Sequence, residues 1–214
     1  MRALVTAFEP FGGSSVNASA EAVALLPARI ENVHIVRAVL PCVFGEASAR
    51  LAELIAETEP DVVVAVGEAG GRSSVDLERV AVNLDDARIP DNAGNRPIDL
   101  PVVPGAPVAY LSRLPIKACA AAVEGAGVPG GVSNTAGSFV CNHLFYSLMH
   151  ILEGRPEIRG GFVHVPTLDR LPAFEAARGI EAVVVAAVRT DEDIRVSRGT
   201  ESCPVPGPGV GGGI

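Results

Sequence analysis

The segment DVVVAVG, residues 61–67, constrains the fold of this chain more than any other stretch. It is a short run of valine and alanine that ends in glycine, without the polar alternation of a half-exposed strand. Such a run predicts a central strand that is covered on both faces, as in a parallel sheet. The rest of the chain must then supply helices for both sides of that sheet.

Strand-like and helix-like segments alternate around this run. We predict strands at 3–8, 33–40, 74–84, 132–134 and 160–166, and helices at 18–26, 45–58, 115–127 and 173–188. A Pro-, Gly-, Asn- and Asp-rich surface excursion is expected over 85–107. The order predicts a single-domain three-layer α/β/α sandwich, with a mixed, largely parallel twisted sheet. Hydrophobic residues are 48% of the chain and aromatic residues only 4%, so its core must consist mainly of aliphatic side chains.

We assign the catalytic domain to residues 1–190. The remainder, 191–214, ends in PVPGPGVGGGI, and its composition predicts a mobile tail in which Cys203 has no assigned role. The net charge of −8 argues against nucleic acid and anionic membranes as partners. No apolar run reaches 18 residues, and the N-terminus enters a strand without a signal sequence, so a cytoplasmic location is expected.

The stretch SNTAGSFVCNHLFYSLMH, residues 133–150, places a cysteine where a small-residue loop becomes a helix. The free N–H groups and positive dipole of a helix N-terminus lower the pKa of a thiol and can bind an oxyanion. Cys141 is therefore a candidate nucleophile. The alternative is that it serves as a small buried hydrophobe.

A cysteine nucleophile requires a base, and the chain has four histidines. His164 ends the strand GGFVHVP, at the edge where a parallel sheet presents its ligand-binding side chains. His143 lies two residues after Cys141 and so points to another side of the helix, as a core or supporting residue. His150 is too far along the helix, and His34 has a structural or exposed position.

Glu78 is the candidate third member, because a base needs an orienting acid. In a continuous strand over 74–84, Glu78 would share the core-facing side with Val80 and Val82. A buried carboxylate requires a partner. That partner could be the catalytic histidine or, alternatively, Arg72 or Arg88 in a structural salt bridge.

Four stretches together resemble the pyroglutamyl-peptidase I (pyrrolidone carboxyl peptidase) family. They are TAFEPFGGSSVNAS, GEAGGRSSVDLERVAVNLDDARIPDNAGNRPID, SNTAGSFVCNHLFYSLMH and GGFVHVP, and they span residues 4 to about 166. The resemblance implies a cysteine exopeptidase that removes an N-terminal pyroglutamyl residue from peptides through a thioester acyl-enzyme. It implies a triad of Cys141, His164 and Glu78, an open α/β sandwich, a homotetramer, and catalysis without metal or cofactor.

The resemblance also implies a substrate pocket. Its aromatic residues fall at Phe8 and Phe11, Asn17 would hold the loop between them and the first helix, and Phe139 and Val140 would line the pocket before the nucleophile. A pyroglutamyl ring is flat, uncharged and mostly apolar, so phenylalanine walls would select it. The alternative for the two N-terminal phenylalanines is ordinary core packing.

Two further residues carry expectations. Arg88 matches a family arginine that we place with Cys141 in the oxyanion region. Glu68 departs from the family pattern, where glutamine is expected. If the Glu68 side chain contacts the lactam, the affinity for the substrate or the pH dependence of that affinity should differ from that of relatives with glutamine. If only the backbone makes the contact, glutamate in place of glutamine should have no effect.

Two other functions are compatible with the sequence. A nucleoside phosphorylase-like transferase would bind phosphate near 67–72 and would not need Cys141, although the chain has no Gly-rich nucleotide motif. A metal- or ligand-binding protein would use Cys141, His143 and His150. Residues at i, i+2 and i+9 of one helix converge poorly on a single ion.

Overall fold

The computed structural model describes residues 1–197. Its strands are β1 Arg2–Phe8, β2 Arg29–Ile30, β3 Val33–Leu40, β4 Val62–Glu68, β5 Val75–Glu78, β6 Val80–Val82, β7 Ala109–Leu111, β8 Gly130–Ser133 and β9 Arg159–Val165. Its helices are α1 Ala18–Ala24, α2 Glu46–Thr58, α3 Ile116–Gly125, α4 Val140–Leu152 and α5 Ala173–Arg189. Most of the predicted tail, including Cys203, lies outside the described residues.

Seven strands form the main sheet in the order β2-β3-β1-β4-β9-β5-β8. Neighbours pair in parallel except at β2/β3 and β5/β9, which are antiparallel. The mixed, largely parallel sheet is therefore confirmed. β4 lies at its centre, as the valine run predicts.

Alternate residues of β4 belong to two separate hydrophobic cores. Val62, Val64 and Val66 join the core that also contains α1, α3 and α5 residues, whereas Val63 and Ala65 join the core of α2 and α4. Helices thus cover both faces of the sheet, which confirms the three-layer sandwich. Among residues 1–197, no helix is long and apolar enough to cross a membrane.

The single strand predicted over 74–84 is wrong. The chain forms β5 in the main sheet, breaks at Arg79, and continues as β6, which pairs with β7 in a separate two-stranded sheet. Alternation reports which side chains are buried but not which sheet a segment joins. Glu78 therefore does not share a face with Val80 and Val82; it alternates with Leu77 and shares its side of β5 with Asp76.

The predicted excursion over 85–107 contains no helix or strand apart from an isolated bridge between Asp85 and Leu100. Its backbone is attached to the loop before α4: the Asp86 N–H donates to the Ser138 carbonyl at 2.9 Å, and the Ser138 hydroxyl donates to the Asp86 carbonyl at 2.8 Å. These bonds bring the excursion alongside the N-terminus of α4, where Cys141 lies.

Candidate active site

Cys141 is the second residue of α4. The residue before the helix, Phe139, has extended dihedral angles, and its side chain makes no capping hydrogen bond. Because an apolar residue occupies the cap position, the N–H groups of the first turn are not taken up by a side-chain cap. The thiol therefore lies at a helix N-terminus, as the sequence predicts.

Gly67, near the end of β4, makes room for the thiol. A Cβ atom at this position would lie 2.8 Å from the Cys141 Sγ and 2.8 Å from the Phe162 Cζ. Gly67 is also the register partner of His164 on the neighbouring strand β9. The absence of a side chain at Gly67 thus places the sulphur against the strand position beside His164.

His164 is held by Glu78. The His164 Nδ1 lies 2.7 Å from the Glu78 Oε1, and the two residues are 4% and 0% exposed. With Nδ1 facing a carboxylate, the proton sits on Nδ1, and Nε2 is the nitrogen left to exchange protons. The Phe162 ring packs against the imidazole with 4.9 Å between ring centroids. The orientation and tautomer of the imidazole are therefore set by β5 and β9 together.

Arg72 binds the same carboxylate. Its Nη2 donates to the Glu78 Oε1 at 2.8 Å, and its Nη1 donates to the Asp76 Oδ2 at 2.7 Å. Of the two arginines considered from the sequence as salt-bridge partners, Arg72 is the one in contact. Glu78 thus makes both predicted interactions at once, through one oxygen, while its Oε2 has no hydrogen-bond partner within residues 1–197.

The pKa of the Cys141 thiol differs from the sequence-based expectation. Burial, followed by the charges of Cys42, Glu78 and Glu68, raises this pKa above its ordinary value. The helix N-terminus acts in the opposite direction. Because a raised pKa disfavours the thiolate, a nucleophilic role for Cys141 would require a base that takes up its proton.

A cavity of about 340 Å³ adjoins this corner of the structure, and it is lined by Phe11, Asp86, Arg88, Ile89, Ser138 and Phe139. The Phe11 and Phe139 rings lie 6.1 Å apart, and Phe44 packs edge-on against Phe139 at 5.4 Å. Ser138 and Phe139 directly precede α4, so the cavity and the thiol share one segment. Its volume is at the small end of the range for ligand sites.

The structure separates the predicted pocket residues into two groups. Phe11 and Phe139 line the cavity, together with Arg88, which the sequence analysis placed in the oxyanion region rather than the pocket. Phe8 is 2% exposed and Val140 is 0% exposed, and both lie in the core. Phe8 packs against Phe162 at 6.4 Å between centroids, so it supports the ring that contacts His164.

Asn17 and Glu68 secure the loop that carries Phe11. The Asn17 side chain caps α1 by accepting from the Ser19 N–H, and it donates to the Glu9 carbonyl at 3.0 Å. The Glu68 Oε2 accepts from the Ala18 N–H at 2.6 Å. The loop-holding role expected for Asn17 agrees with these bonds, and the Glu68 carboxylate points to the first turn of α1.

Sequence reasoning missed part of the framework. The Asn142 side chain accepts from the Val82 N–H at 3.0 Å and donates to the carbonyls of Val82 and Leu84 at 2.9 and 3.0 Å, which fixes α4 to β6. An amide directly after the cysteine was the available signal. The cavity residues Asp86, Ile89 and Ser138 were missed too; the only signal was the long excursion before them.

The other candidate histidines have partners elsewhere. His143 Nδ1 lies 2.8 Å from the Asp85 Oδ2, and its Nε2 accepts from the Gly45 N–H at 3.1 Å, in agreement with a supporting role. His150 Nδ1 lies 2.9 Å from the Tyr110 hydroxyl. Within residues 1–197, no three His, Cys, Asp or Glu side chains are grouped so that they could hold a metal. The predicted phosphate segment carries Arg72, which is already bound by two carboxylates.

Comparisons with known proteins agree with this geometry. A family model described as pyroglutamyl peptidase matches residues 1–192. A pyrrolidone-carboxylate peptidase of Streptomyces coelicolor is 49% identical over 92% of this chain and 98% of its own length. One from Escherichia fergusonii is 46% identical over 92% of this chain and 97% of its own length. The crystal structure of Bacillus amyloliquefaciens pyroglutamyl peptidase I is 42% identical, covers 90% of this chain and 99% of its own, and has a TM-score of 0.86.

These matches extend over nearly the whole described chain and over nearly all of each relative. They include β5, α4 and β9, the three elements that bring together the carboxylate, the thiol and the imidazole. Sequence likeness, shared fold and site geometry thus agree, and the chain belongs to the pyroglutamyl peptidase family.

Proposed function

We propose that this protein removes the N-terminal pyroglutamyl residue from peptides, with Cys141 as nucleophile, His164 as base and Glu78 as the group that orients the base. The observation that carries this proposal is the Glu78–His164 hydrogen bond of 2.7 Å beside Gly67, the residue over which the Cys141 sulphur lies. Family membership supports the substrate.

In the first step, the His164 Nε2 accepts the Cys141 proton, and the sulphur attacks the pyroglutamyl carbonyl carbon. The carbonyl π electrons move to oxygen, and the resulting oxyanion is stabilised by the free N–H groups of the α4 first turn. Glu78 stabilises the imidazolium through Nδ1. Because burial raises the pKa of Cys141, we assign His164 the role of general base rather than partner in a resting ion pair.

In the second step, the imidazolium gives its proton to the leaving amine, the carbon–nitrogen bond breaks, and a thioester remains on Cys141. Water then attacks the thioester carbonyl while His164 accepts one of its protons. The carbon–sulphur bond breaks, pyroglutamate leaves, and the thiol recovers the proton. One imidazole thus serves as base and acid in turn.

The cavity lined by Ser138 and Phe139, the two residues before α4, supports the choice of substrate. Phe11, Ile89 and Phe139 give it apolar walls suited to an uncharged lactam ring. A free α-amino group would enter with a full positive charge, whose desolvation these walls do not repay. The pocket would therefore distinguish a cyclised from an uncyclised N-terminus by charge. Arg88 also lines the cavity and is exposed, and we assign it to the side on which the scissile carbonyl oxygen of the substrate would lie.

Release of a fluorophore from a pyroglutamyl amide tests the proposal. We expect turnover by wild type, loss of turnover after iodoacetamide, and loss in Cys141→Ala, with no turnover of the matching glutamyl amide. Cys119→Ala is the matched thiol control, because Cys119 is buried among α3 and α5 residues in the other core. Turnover that survives in Cys141→Ala would contradict the mechanism, and a folded wild type without turnover would contradict the function.

We further propose, from the family resemblance alone, a homotetramer in the cytoplasm. Light scattering coupled to gel filtration measures the first, and fractionation of the source cells measures the second. A monomer that turns over the substrate at the full rate would leave the function intact and remove the tetramer from the proposal.

A further inference from the structure

The Arg72 guanidinium joins the two segments that carry catalytic residues. On one side it donates to Asp76 and Glu78 of β5 at 2.7 and 2.8 Å. On the other side its Nη2 donates to the Ser133 hydroxyl oxygen at 2.9 Å and to the Thr135 carbonyl at 3.0 Å, in the loop that leads from β8 to Cys141. Arg72 itself takes no part in the proton transfers of the proposed mechanism.

The site contains two carboxylates for one guanidinium. Asp76 is the register partner of His164 across the antiparallel β5/β9 pair, and Glu78 lies two residues further on the same side of β5. Asp76 is buried, with 8% of its surface exposed, and its Oδ1 accepts from the Ser74 hydroxyl at 2.7 Å. The carboxylate occupies space that a side chain at Gly131 would fill. With Arg72 in place, one net negative charge faces the imidazole; without it, two would.

This inference rests on the proposed function: we propose that Arg72 is a positioning residue, which holds the Glu78 carboxylate against His164 and balances the charge of Asp76. An ionised Glu78 is needed to hold the Nδ1 proton and to stabilise the imidazolium. Arg72 acts through Glu78 and does not touch the reacting atoms.

Within residues 1–197, the charged or titratable groups placed around His164 are Glu78 and Asp76 on β5, Arg72 before β5, and Cys141 on α4. Glu68, at the end of β4, pairs in register with Val165, and its side chain lies on the α1 side of the sheet. Glu68 is bound to the α1 first turn, and burial raises the pKa of the Cys141 thiol. The net charge near the imidazole therefore depends on one arginine and two β5 carboxylates. A substitution of Arg72 makes it more negative, and a substitution of Asp76 makes it less negative.

The test is the acid limb of the pH dependence of kcat/KM, measured with the pyroglutamyl amide. Arg72→Gln makes the site more negative, so it takes up a proton more readily, and the limb should move to higher pH by about one unit or more. Asp76→Asn makes it less negative, and the limb should move to lower pH. Arg72→Lys should restore most of the limb position, but with a lower plateau, because lysine lacks the planar fork.

Arg170→Gln is the matched control. Arg170 loses the same charge and lies against Arg72, donating to its backbone carbonyl at 3.4 Å, but it is exposed and has no contact with the β5 carboxylates in the described structure. Its acid limb should stay in place. Circular dichroism and melting temperature establish that each variant is folded.

An Arg72→Gln variant whose plateau falls while its acid limb stays in place would overturn the proposal, because a purely structural arginine would behave in that way. Limbs that move in the same direction for Arg72→Gln and Asp76→Asn would also overturn it. If Arg72→Gln does not fold, an unmoved limb in Asp76→Asn decides against the proposal. A folded wild type without iodoacetamide-sensitive turnover would instead remove the proposed function itself.

Discussion

Residues 1–197 contain two buried carboxylate–histidine pairs that are alike in the contact at Nδ1 and different in the contacts at Nε2. In one, Glu78 lies 2.7 Å from His164; in the other, Asp85 lies 2.8 Å from His143. The Nε2 of His143 accepts the Gly45 N–H and also lies 3.3 Å from the Ser48 hydroxyl. His164 instead lies beside Gly67, where the Cys141 sulphur is placed.

The contrast shows that a buried acid–imidazole pair is not a catalytic signature by itself. Both pairs fix the tautomer and the ring plane. In the Asp85–His143 pair, Nε2 holds α4 against the start of α2, so this imidazole connects two helices. In the Glu78–His164 pair, we assign Nε2 to proton transfer. What faces Nε2 decides between the two roles.

The largest effect should come from replacing the two histidines in turn. We expect His164→Asn to lower kcat by about 10³-fold or more, since the base is lost, with little change in melting temperature. We expect His143→Asn to keep kcat within about tenfold and to cost about 1–3 kcal/mol, because Asp85 is left buried without its donor. Steady-state kinetics and urea unfolding measure both. Equal losses of kcat would erase the contrast.

Substitution of the two carboxylates should show the same difference, with Glu78 affecting mainly kcat and Asp85 mainly the free energy of unfolding. Glu78→Gln should lower kcat by about 10²–10⁴-fold, because an amide no longer selects the Nδ1-protonated tautomer. Asp85→Asn should lower the free energy of unfolding by about 1–2 kcal/mol and leave kcat nearly unchanged. If Glu78→Gln chiefly lowers the melting temperature, the Arg72 salt bridge is the main role of Glu78.

Two glycines sharpen the comparison further. At Gly67, an added methyl would lie 2.8 Å from both the Cys141 Sγ and the Phe162 Cζ. At Gly45, whose φ is +75°, an added methyl would meet nothing within 4 Å. We expect Gly67→Ala to displace the thiol and reduce kcat by about tenfold or more. Gly45→Ala should cost about 1–2 kcal/mol of backbone strain without lowering kcat.

The outcome for these two glycines is read from kcat and from the unfolding midpoint together. A Gly67→Ala variant with full activity would mean that the sulphur works from another position. A Gly45→Ala variant that loses activity but keeps its stability would indicate that His143 communicates with the site after all.

The smallest effect should appear at Glu68, which raises the pKa of Cys141 as the last of four causes. Glu68→Gln should lower that pKa, so the thiolate fraction at a fixed pH rises; a shift of about half a unit corresponds to roughly threefold faster alkylation by iodoacetamide. Glu21→Gln, on the exposed side of α1, is the control and should leave the rate unchanged. Slower alkylation in Glu68→Gln would contradict the assigned sign.

Much of this arrangement is accessible from the sequence because it is local. The valine run of β4 and the helix start next to Cys141 depend on neighbouring residues, and both are confirmed. The break at Arg79 depends on β7, some 30 residues away in sequence, so alternation alone extends the strand too far. Glu78 is nevertheless buried and in contact with His164, although the face it shares is that of Asp76.

The site is less accessible because its chemistry depends on distant partners. The raised pKa of Cys141 reflects burial and groups such as Cys42 and Glu68, whereas the sequence shows only the helix N-terminus. Phe8 and Phe11 flank the same proline, yet one ends a buried strand and the other follows the turn toward the cavity. The choice between Arg72 and Arg88 as partner of Glu78 likewise required the fold.

The position of β9 has a consequence for how activity arises during folding. This strand lies between β4 and β5, which are made roughly 90 residues earlier, and it carries His164. Before it inserts, its two neighbours present open edges and the proposed base is not yet beside the thiol. Recovery of turnover during refolding would therefore report the closing of the sheet. Under the proposed mechanism, a chain in which β9 has not yet paired with β4 and β5 would be inactive.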